Sequence, residues 1–140
     1  MGEKQLVQRV AAKAVIEAED YILALRPSKI DVNKKWHIPG GIRDDINEPL
    51  WETAVREVSE ETGINLTGVV GKVIKIGEWQ AVDKGEQVKI LGVFFHFVCP
   101  VRPAVMLSQE HGDFAWLDRN NYQNYLINND LKEVAELIFG

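Results

Sequence analysis

The sequence has little cysteine, no long hydrophobic run and no cluster of basic residues. One cysteine among 140 residues cannot form an internal disulfide, which excludes a disulfide-stapled fold and predicts a reducing, cytoplasmic location. The longest apolar stretch, residues 90–101, contains a glycine and a histidine and is too short for a membrane helix. The first seven residues have no apolar core of the kind that an export signal needs.

Basic residues are scattered along the chain, and no run of them exceeds Lys34-Lys35. The isoelectric point is near 5.2, so the electrostatic footprint of a protein that binds long nucleic acid is missing. We therefore expect a small-molecule ligand and no membrane or nucleic-acid partner. Hydrophobic residues make up 46% of the chain and charged residues 26%, which is typical of a globular protein and predicts one domain over residues 1–140.

The net charge of -5 is concentrated in one short segment. Residues 44–61 contain seven acids and one base, whereas the remainder of the chain is almost neutral. A functional interpretation of this sequence therefore has to explain an acidic segment of eighteen residues.

The pattern of apolar and turn-forming residues predicts more strands than helices. Strands are expected at residues 8–16, 21–25, 69–79, 87–98 and 115–117, with an extended stretch at 36–41 that stops at a Pro-Gly-Gly turn. Helices are expected at residues 50–62, with Pro49 at the start and Gly63 at the end, and at residues 131–139. This order predicts an α+β fold with a mixed sheet.

The acidic segment coincides with the first predicted helix. At 100° per residue, Glu57, Glu60 and Glu61 project from one narrow face, where like charges destabilise a helix slightly. Carboxylate oxygens are the ligands that Mg²⁺ or Mn²⁺ prefers, so this face is a candidate metal site, with a solvated acidic surface as the alternative. The apolar stripe beside it, expected to pack on the sheet, consists of Trp51, Val55, Val58 and Thr62.

The residues around this helix resemble the Nudix box of the Nudix hydrolase family. The match comprises Gly41, Glu48 and the run Arg56-Glu57-Val58-Ser59-Glu60-Glu61-Thr62-Gly63-Ile64, preceded by Trp36-His37-Ile38-Pro39-Gly40. One departure is present, because six residues separate Gly41 from Glu48 where the family pattern has five. The resemblance implies the Nudix fold, a mixed β-sheet packed between helices as an α/β/α sandwich.

The resemblance also implies an activity. Nudix hydrolases cleave a diphosphate bond in a nucleoside diphosphate linked to another group, and they use Mg²⁺ or Mn²⁺. By resemblance the metal ligands are Glu57, Glu60 and Glu61, with the Gly41 carbonyl as a further ligand. Catalytic roles fall to Glu57, Glu60, Arg56 and Glu110, the last of these as an additional metal ligand or general base.

Two of these roles have alternatives at the level of the sequence. Arg56 is expected to orient Glu57 or Glu48, although an ion pair with Glu52 one turn earlier is an equally simple interpretation. Glu110 lies in a segment similar to one that carries a Glu-His pair in many Nudix proteins, and an exposed loop acid is its alternative. His37 and His96 alternate within apolar strands, where a hydrogen-bonded histidine is commoner than a ligand.

The sequence carries less information about the substrate than about the metal site. The candidate substrate-binding residues, chosen as an aromatic platform with a polar partner, are Arg26, Trp36, Trp79 and Phe95. Positions 79 and 81 hold Trp and Ala, so the proline and tyrosine that accompany ADP-ribose and dinucleoside polyphosphate specificity in the family are absent. The leading prediction is a nucleoside triphosphate pyrophosphatase that releases a monophosphate and pyrophosphate. The alternatives are a sugar-nucleotide or ADP-ribose type pyrophosphatase and a non-catalytic nucleotide-binding module. The resemblance also implies that the chain can form a homodimer, since this family often dimerises.

Overall fold

The computed structural model describes residues 6–108 and 112–140. The strands and helices in these ranges are, in order, β1 (Val7–Ala18), β2 (Tyr21–Arg26), β3 (Gly40–Ile42), α1 (Leu50–Thr62), β4 (Gly71–Asp83), β5 (Glu86–Cys99), β6 (Asp113–Leu117) and α2 (Asn129–Phe139). A single 3-10 turn, Tyr122–Asn124, precedes α2.

The strands form one mixed sheet in the order β4-β5-β1-β2-β6, and β3 pairs with the middle of β1. β1 and β5 run parallel over their whole shared length, whereas the other pairs are antiparallel. Two tight turns set the hairpins, because Glu19 with Asp20 and Lys84 with Gly85 have the positive φ angles that two-residue hairpin turns require. The predicted α+β architecture is confirmed.

The two faces of the sheet are covered by different helices. On one face, Ala54 and Val58 of α1 pack against alternate residues of β1 and against Phe95 and Phe97 of β5. On the other face, Leu131 and Val134 of α2 pack in a cluster that includes Phe94. This arrangement follows from the strand period of two, which sends successive side chains to opposite faces.

Helix α1 occupies the predicted residues. Pro49 precedes its first turn with an extended ψ of 142°, and Gly63 ends it in the left-handed conformation at φ 73°. The Gly63 N–H donates to the Ser59 carbonyl at 2.9 Å. The Thr62 hydroxyl donates to the Val58 carbonyl at 2.7 Å, so this buried polar group has a partner within the helix.

Two local predictions are corrected by the structure. Gly40 and Gly41 do not form a turn but begin β3, opposite Lys13 and Ala12 of β1. A Cβ on Gly40 would lie 2.3 Å from the Ala12 carbonyl oxygen, so glycine is needed there for strand pairing. Trp51 is 51% exposed although it shares the angular position of Val58. In the first turns of α1 the buried contacts come from Thr53 and Ala54.

None of the helices in the described part of the chain is long and apolar enough to cross a membrane.

Cys99, at the end of β5, packs against the α1-side core, and burial raises the pKa of its thiol.

Candidate active site

Three of the glutamates of α1, Glu57, Glu60 and Glu61, form the predicted acidic face, and their burial is graded. Glu61 is 7% exposed, and the side chains of Glu57 and Glu60 are 18% and 58% exposed respectively. The helix therefore places one carboxylate inside the protein, one at its boundary and one in solvent. The shared face predicted from the sequence exists, but its members have different environments.

Glu61 is held by the backbone of β3. Its Oε1 accepts a hydrogen bond of 2.8 Å from the Gly40 N–H. Burial raises the pKa of Glu61 to about 7, and the Gly40 hydrogen bond and the positive charge of Lys13 partly oppose that shift. A carboxylate buried in this way is stabilised in its charged form by any additional cation.

Glu57 lies against the second glycine of β3. A Cβ on Gly41 would come within 2.4 Å of the Glu57 carboxyl carbon, so the close approach depends on glycine at this position. Burial raises the pKa of Glu57, whereas the neighbouring Arg56 lowers it. The two glycines thus have separate roles, since Gly40 permits strand pairing and Gly41 makes room for a carboxylate.

Arg56 connects the helix to the loop before it. Its Nε and Nη2 donate to the two carboxylate oxygens of Glu48 at 3.0 and 3.1 Å, and its Nη1 donates to Glu57 and Glu60 at 3.2 Å each. Arg56, which was expected to orient Glu57 or Glu48, makes hydrogen bonds to both and a third contact to Glu60. The guanidinium therefore offsets the repulsion among three carboxylates.

Glu48 is fixed from two sides despite the extra residue in its loop. The Thr53 hydroxyl donates to its Oε1 at 2.6 Å, in addition to the Arg56 contacts. These bonds, with that of Arg56 as the largest contribution, lower the pKa of Glu48. The longer loop is accommodated by a turn in which the Asp45 carbonyl accepts from the Glu48 N–H at 3.0 Å. The sequence does not reveal this turn, because it depends on where the loop closes against the helix.

The donor set fits a hard divalent cation. Glu57 lies against Gly41, Glu61 accepts from the Gly40 N–H, and Glu60 is joined to Glu57 through Arg56. Burial raises the pKa of Glu57 and of Glu61, and carboxylates are the ligands that such a cation prefers. In the described ranges no three acidic, histidine or cysteine side chains already converge on one point. Arg56 and the Gly40 N–H engage the carboxylates instead.

A cleft of about 440 Å³ opens on the α2 side of the sheet, and we call it the aromatic cleft. It is lined by Lys13, Lys35, His37, Ile38, Trp79, Phe94, Asn128, Asn129 and Asp130. Lys13 links this cleft to the acidic helix, because its ammonium interacts electrostatically with Glu61 and Glu57 as well as with Asp130. Burial lowers the pKa of Lys13, and these carboxylates oppose that shift.

Of the four predicted substrate-binding residues, the structure places only Trp79 on this cleft. Phe95 is buried in the core against α1, and its neighbour Phe94 lines the cleft, since adjacent strand residues point to opposite faces. Trp36 is 7% exposed in the α2-side core. Arg26 lies over the Trp36 ring at 4.9 Å and donates to the Ser28 carbonyl.

Lys13 and Phe94 were missed by the sequence reasoning. A lysine inside the otherwise apolar run of residues 10–16 was the available signal for Lys13. Phe94 carried no comparable signal, because the choice between two adjacent phenylalanines depends on strand phase.

Glu110 lies outside the described residues, so its role stays a prediction. His96 Nε2 donates to Glu17 Oε1 at 2.8 Å, and His37 Nδ1 contacts the Ile38 carbonyl at 3.1 Å, as expected of hydrogen-bonded sheet histidines.

Comparisons with known proteins agree with this geometry. The family model described as NUDIX domain matches residues 7–138. The structure of the MutT protein from Methanosarcina mazei Go1 is similar to this chain, with 27% sequence identity and a TM-score of 0.71. The match covers 97% of this chain and 96% of that one. None of the curated proteins compared with the chain matches it.

Two more distant structures share the fold. One is a bifunctional NMN adenylyltransferase/ADP ribose pyrophosphatase from Francisella tularensis complexed with AMP and a Mn ion, with 19% identity and a TM-score of 0.70. The match covers 96% of this chain but only 42% of that one. The other is a C. elegans Ap4A hydrolase with 23% identity and a TM-score of 0.62. That match covers 93% of this chain and 92% of the C. elegans chain.

Proposed function

The chain belongs to the NUDIX domain family and is a hydrolase of pyrophosphate bonds, and from this premise we propose that it cleaves a nucleoside diphosphate linked to another group, using Mg²⁺ or Mn²⁺. The observation that carries the proposal is the set of carboxylates on α1, anchored by Arg56 and packed on the β3 glycines beside an aromatic cleft. The Mn ion in the Francisella tularensis structure supports the choice of metal.

The metal would be held by Glu57, Glu60 and Glu61 with the Gly41 carbonyl. When bound, such an ion neutralises phosphate oxygens and lowers the pKa of a water molecule. The protein's own contribution is to hold these carboxylates in place, which Arg56 does through Glu57 and Glu60 while it is itself anchored to Glu48.

The aromatic cleft is where we place the nucleoside. Trp79 offers a ring surface for a base beside the buried ring of Phe94. The amide of Asn129 and the carboxylate of Asp130 supply polar groups at the rim of the cleft. Lys13 lies between this cleft and the acidic helix, where its ammonium can neutralise a phosphate. Binding in this position directs the diphosphate toward Glu57 and Glu61.

In the reaction, the oxygen of a water molecule bonds to one phosphorus and the bond from that phosphorus to the bridging oxygen breaks. One proton of the water leaves to a base, and the bridging oxygen departs as part of the second phosphate. A carboxylate of the α1 set or Glu110 serves as the base in this proposal. Nucleoside triphosphates are the first substrates to test, because both markers of the other specificities are absent from the sequence.

The test is a substrate panel of nucleoside triphosphates, ADP-ribose, sugar nucleotides and dinucleoside polyphosphates, each with Mg²⁺ and with Mn²⁺. We expect Glu60→Gln and Glu61→Gln to lower kcat/KM by about a hundredfold or more, as loss of a ligand to a catalytic metal does. Glu136→Gln, at an exposed position of α2, is the matched control and should retain wild-type activity. Absence of cleavage with either metal would leave a nucleotide-binding module in place of an enzyme. Full activity of both variants would contradict the role of Glu60 and Glu61 as metal ligands.

A further inference from the structure

Strand β4 is an edge of the sheet, and within residues 6–108 and 112–140 no strand pairs with its outer side. It is thirteen residues long and contains no proline. Residues 75–83 follow the β-bulge at Val73/Lys75 and pair with β5 without further irregularity. A long regular edge presents a row of unpaired N–H and C=O groups, which favours pairing with another chain. We call residues 75–83 the free edge.

The free edge has an exposed apolar surface on the face that α1 shares. Ile76 is 62% exposed and Val82 is 69% exposed, and both point away from the face on which Trp79 lines the aromatic cleft. β-branched side chains such as these pack well against the side chains of a neighbouring strand. The free edge thus offers both backbone groups and apolar side chains to a further strand.

The charged side chains of the free edge do not guard it, because each already has a partner in its own chain. Lys75 lies 3.5 Å from Asp130, Glu78 lies 3.0 Å from Lys89, and Asp83 lies 3.6 Å from Arg9. Edge strands that avoid pairing commonly carry unpaired charges, prolines or short lengths. Among the described residues of β4, the bulge before Lys75 is the one feature of this kind, and it leaves residues 75–83 regular.

A second copy of β4 fits the free edge in one register. Opposite residues of an antiparallel pair point to the same face, so a two-fold axis perpendicular to the sheet passes beside one residue of β4. With the axis at Trp79, all of residues 75–83 find partners in the second copy. Ile76 then lies opposite Val82, and Lys75 lies opposite Asp83.

Registers centred on nearby residues are less favourable. An axis at Glu78 places this carboxylate opposite its own copy, and like charges directly opposite each other destabilise a sheet. An axis at Gly77 or Gln80 places Ile76 opposite a charged residue, Glu78 or Lys84 respectively. The register centred on Trp79 avoids both faults.

This register would bring the second copy to the candidate active site. Trp79 lies over Gly92, where a Cβ would come within 2.4 Å of the indole, so the ring is held against β5 on one side. Directly opposite residues of an antiparallel pair have Cβ atoms about 4.5–5.5 Å apart. Trp79 of the second copy would therefore stand next to Trp79 and border the aromatic cleft.

We propose that the free edge binds a second copy of this chain in the register centred on Trp79, so that the two aromatic clefts share a wall made of both indoles. The pairing itself does not depend on the proposed function. The shared wall does rest on it, because it assigns the aromatic cleft to the nucleoside.

The experiment on the pairing uses sedimentation velocity of the full chain over a wide range of protein concentrations. Wild type should form a dimer. Ile76→Lys and Val82→Glu each place an unpaired charge opposite an apolar residue of the second copy, and each should raise the dimer dissociation constant about tenfold or more. Both positions are exposed in the single chain, so folding should be unaffected, which circular dichroism checks.

The double variant tests the register. Combining Ile76→Lys with Val82→Glu places each new ammonium opposite the new carboxylate of the second copy, and the dissociation constant should return to within about threefold of wild type. Within one chain the two positions are six residues, or about 20 Å, apart, so this rescue requires the second copy. Val98→Lys is the matched control, at a 59% exposed position of β5 outside the stretch that pairs with residues 75–83, and should dimerise as wild type does.

The shared wall is tested with the nucleotide that wild type cleaves best. KM should be about threefold to tenfold higher with protein diluted below the dimer dissociation constant than with protein above it, while kcat changes little, as loss of a ring contact would cause. Ile76→Lys should show the higher KM under both conditions.

The outcomes separate the proposals. A wild type that stays monomeric, or single variants that the double variant does not rescue, would overturn the pairing. A rescued dimer whose KM does not depend on dilution would overturn the shared wall. Failure to cleave any nucleotide would overturn the proposed function and the shared wall with it, and the sedimentation result would still decide the pairing.

Discussion

Arg56 and Glu48 are eight residues apart in the sequence, yet they form a two-point ion pair with N–O distances of 3.0 and 3.1 Å. The third nitrogen of the same guanidinium contacts Glu57 and Glu60 at 3.2 Å. One planar group therefore joins the loop before α1 to the acidic face of α1. A lysine could not make these contacts together, because it presents a single charged atom.

Replacement of Arg56 by lysine should therefore impair catalysis while charge is conserved. We expect Arg56→Lys to lower kcat/KM by about ten- to a hundredfold, as loss of a partner that orients metal ligands does. Arg102→Lys is the matched control, because Arg102 pairs with Glu19 through a part of the surface that contains no proposed ligand. Steady-state kinetics of both variants over a Mg²⁺ titration check this, and equal effects would contradict the special role of Arg56.

The stability of the protein should decline in acid partly through Glu48. Its folded-state pKa is lowered, mainly by the Arg56 hydrogen bond, so its contribution to stability is present above the unfolded pKa near 4.5. That contribution is lost as the pH falls through the lower folded-state value. Thermal unfolding between pH 7 and pH 3 should show a smaller loss of Tm on acidification for Glu48→Gln than for wild type. Parallel curves for the two proteins would argue against this prediction.

A methyl group on Gly41 should disturb metal binding more than folding. The added Cβ would lie 2.4 Å from the Glu57 carboxyl carbon, so this carboxylate must move. We expect Gly41→Ala to weaken Mn²⁺ binding, measured by electron paramagnetic resonance, by about tenfold or more. In Gly77→Ala the new methyl comes nearest to the Asp130 side chain, at 3.2 Å, and meets Phe94 and Lys75 at 3.7 and 3.8 Å, so Mn²⁺ affinity should be unchanged. Wild-type Mn²⁺ affinity in Gly41→Ala would show that Glu57 is not a ligand.

Substitutions of Trp79 in β4 and of Phe95 in β5 should affect different properties, substrate binding in the first case and stability in the second. Trp79→Ala is expected to raise KM about fivefold to tenfold with little change in kcat, because a stacking surface worth about 1 kcal/mol is removed from the aromatic cleft. Phe95→Leu alters the α1-side core and should lower Tm by a few degrees while KM stays at the wild-type value. A raised KM in Phe95→Leu without a raised KM in Trp79→Ala would reverse the assignment of these residues.

Much of the fold was predictable because it is encoded locally. The limits of α1 follow from Pro49 and Gly63, and the long hairpin follows from Lys84-Gly85 between two β-rich stretches. The start of β3 was not predictable in this way. Pro-Gly-Gly is typical of a turn, and only the presence of β1 beside it makes an extended pair of glycines favourable.

The residues of the candidate site also differ in whether the local sequence predicts them. Glu57, Glu60, Glu61 and Arg56 could be identified from spacing on a helix and from their resemblance to the Nudix box. Phe94 could not, because its position depends on which face of β5 meets α2. The position of Lys13 in an apolar stretch marked it as unusual, but its place between the aromatic cleft and α1 depends on the tertiary structure. The partners of Arg26 were likewise hidden, since Trp36 reaches it from a separate extended segment.

By itself, the sequence determined the acidic helix and the family to which the chain belongs, since helical spacing and end signals are properties of neighbouring residues. Only the tertiary structure decided how deeply each carboxylate is buried and which ring lines the aromatic cleft. Those features arise where segments distant in the chain pack together, because burial and close approach depend on atoms that local sequence does not specify.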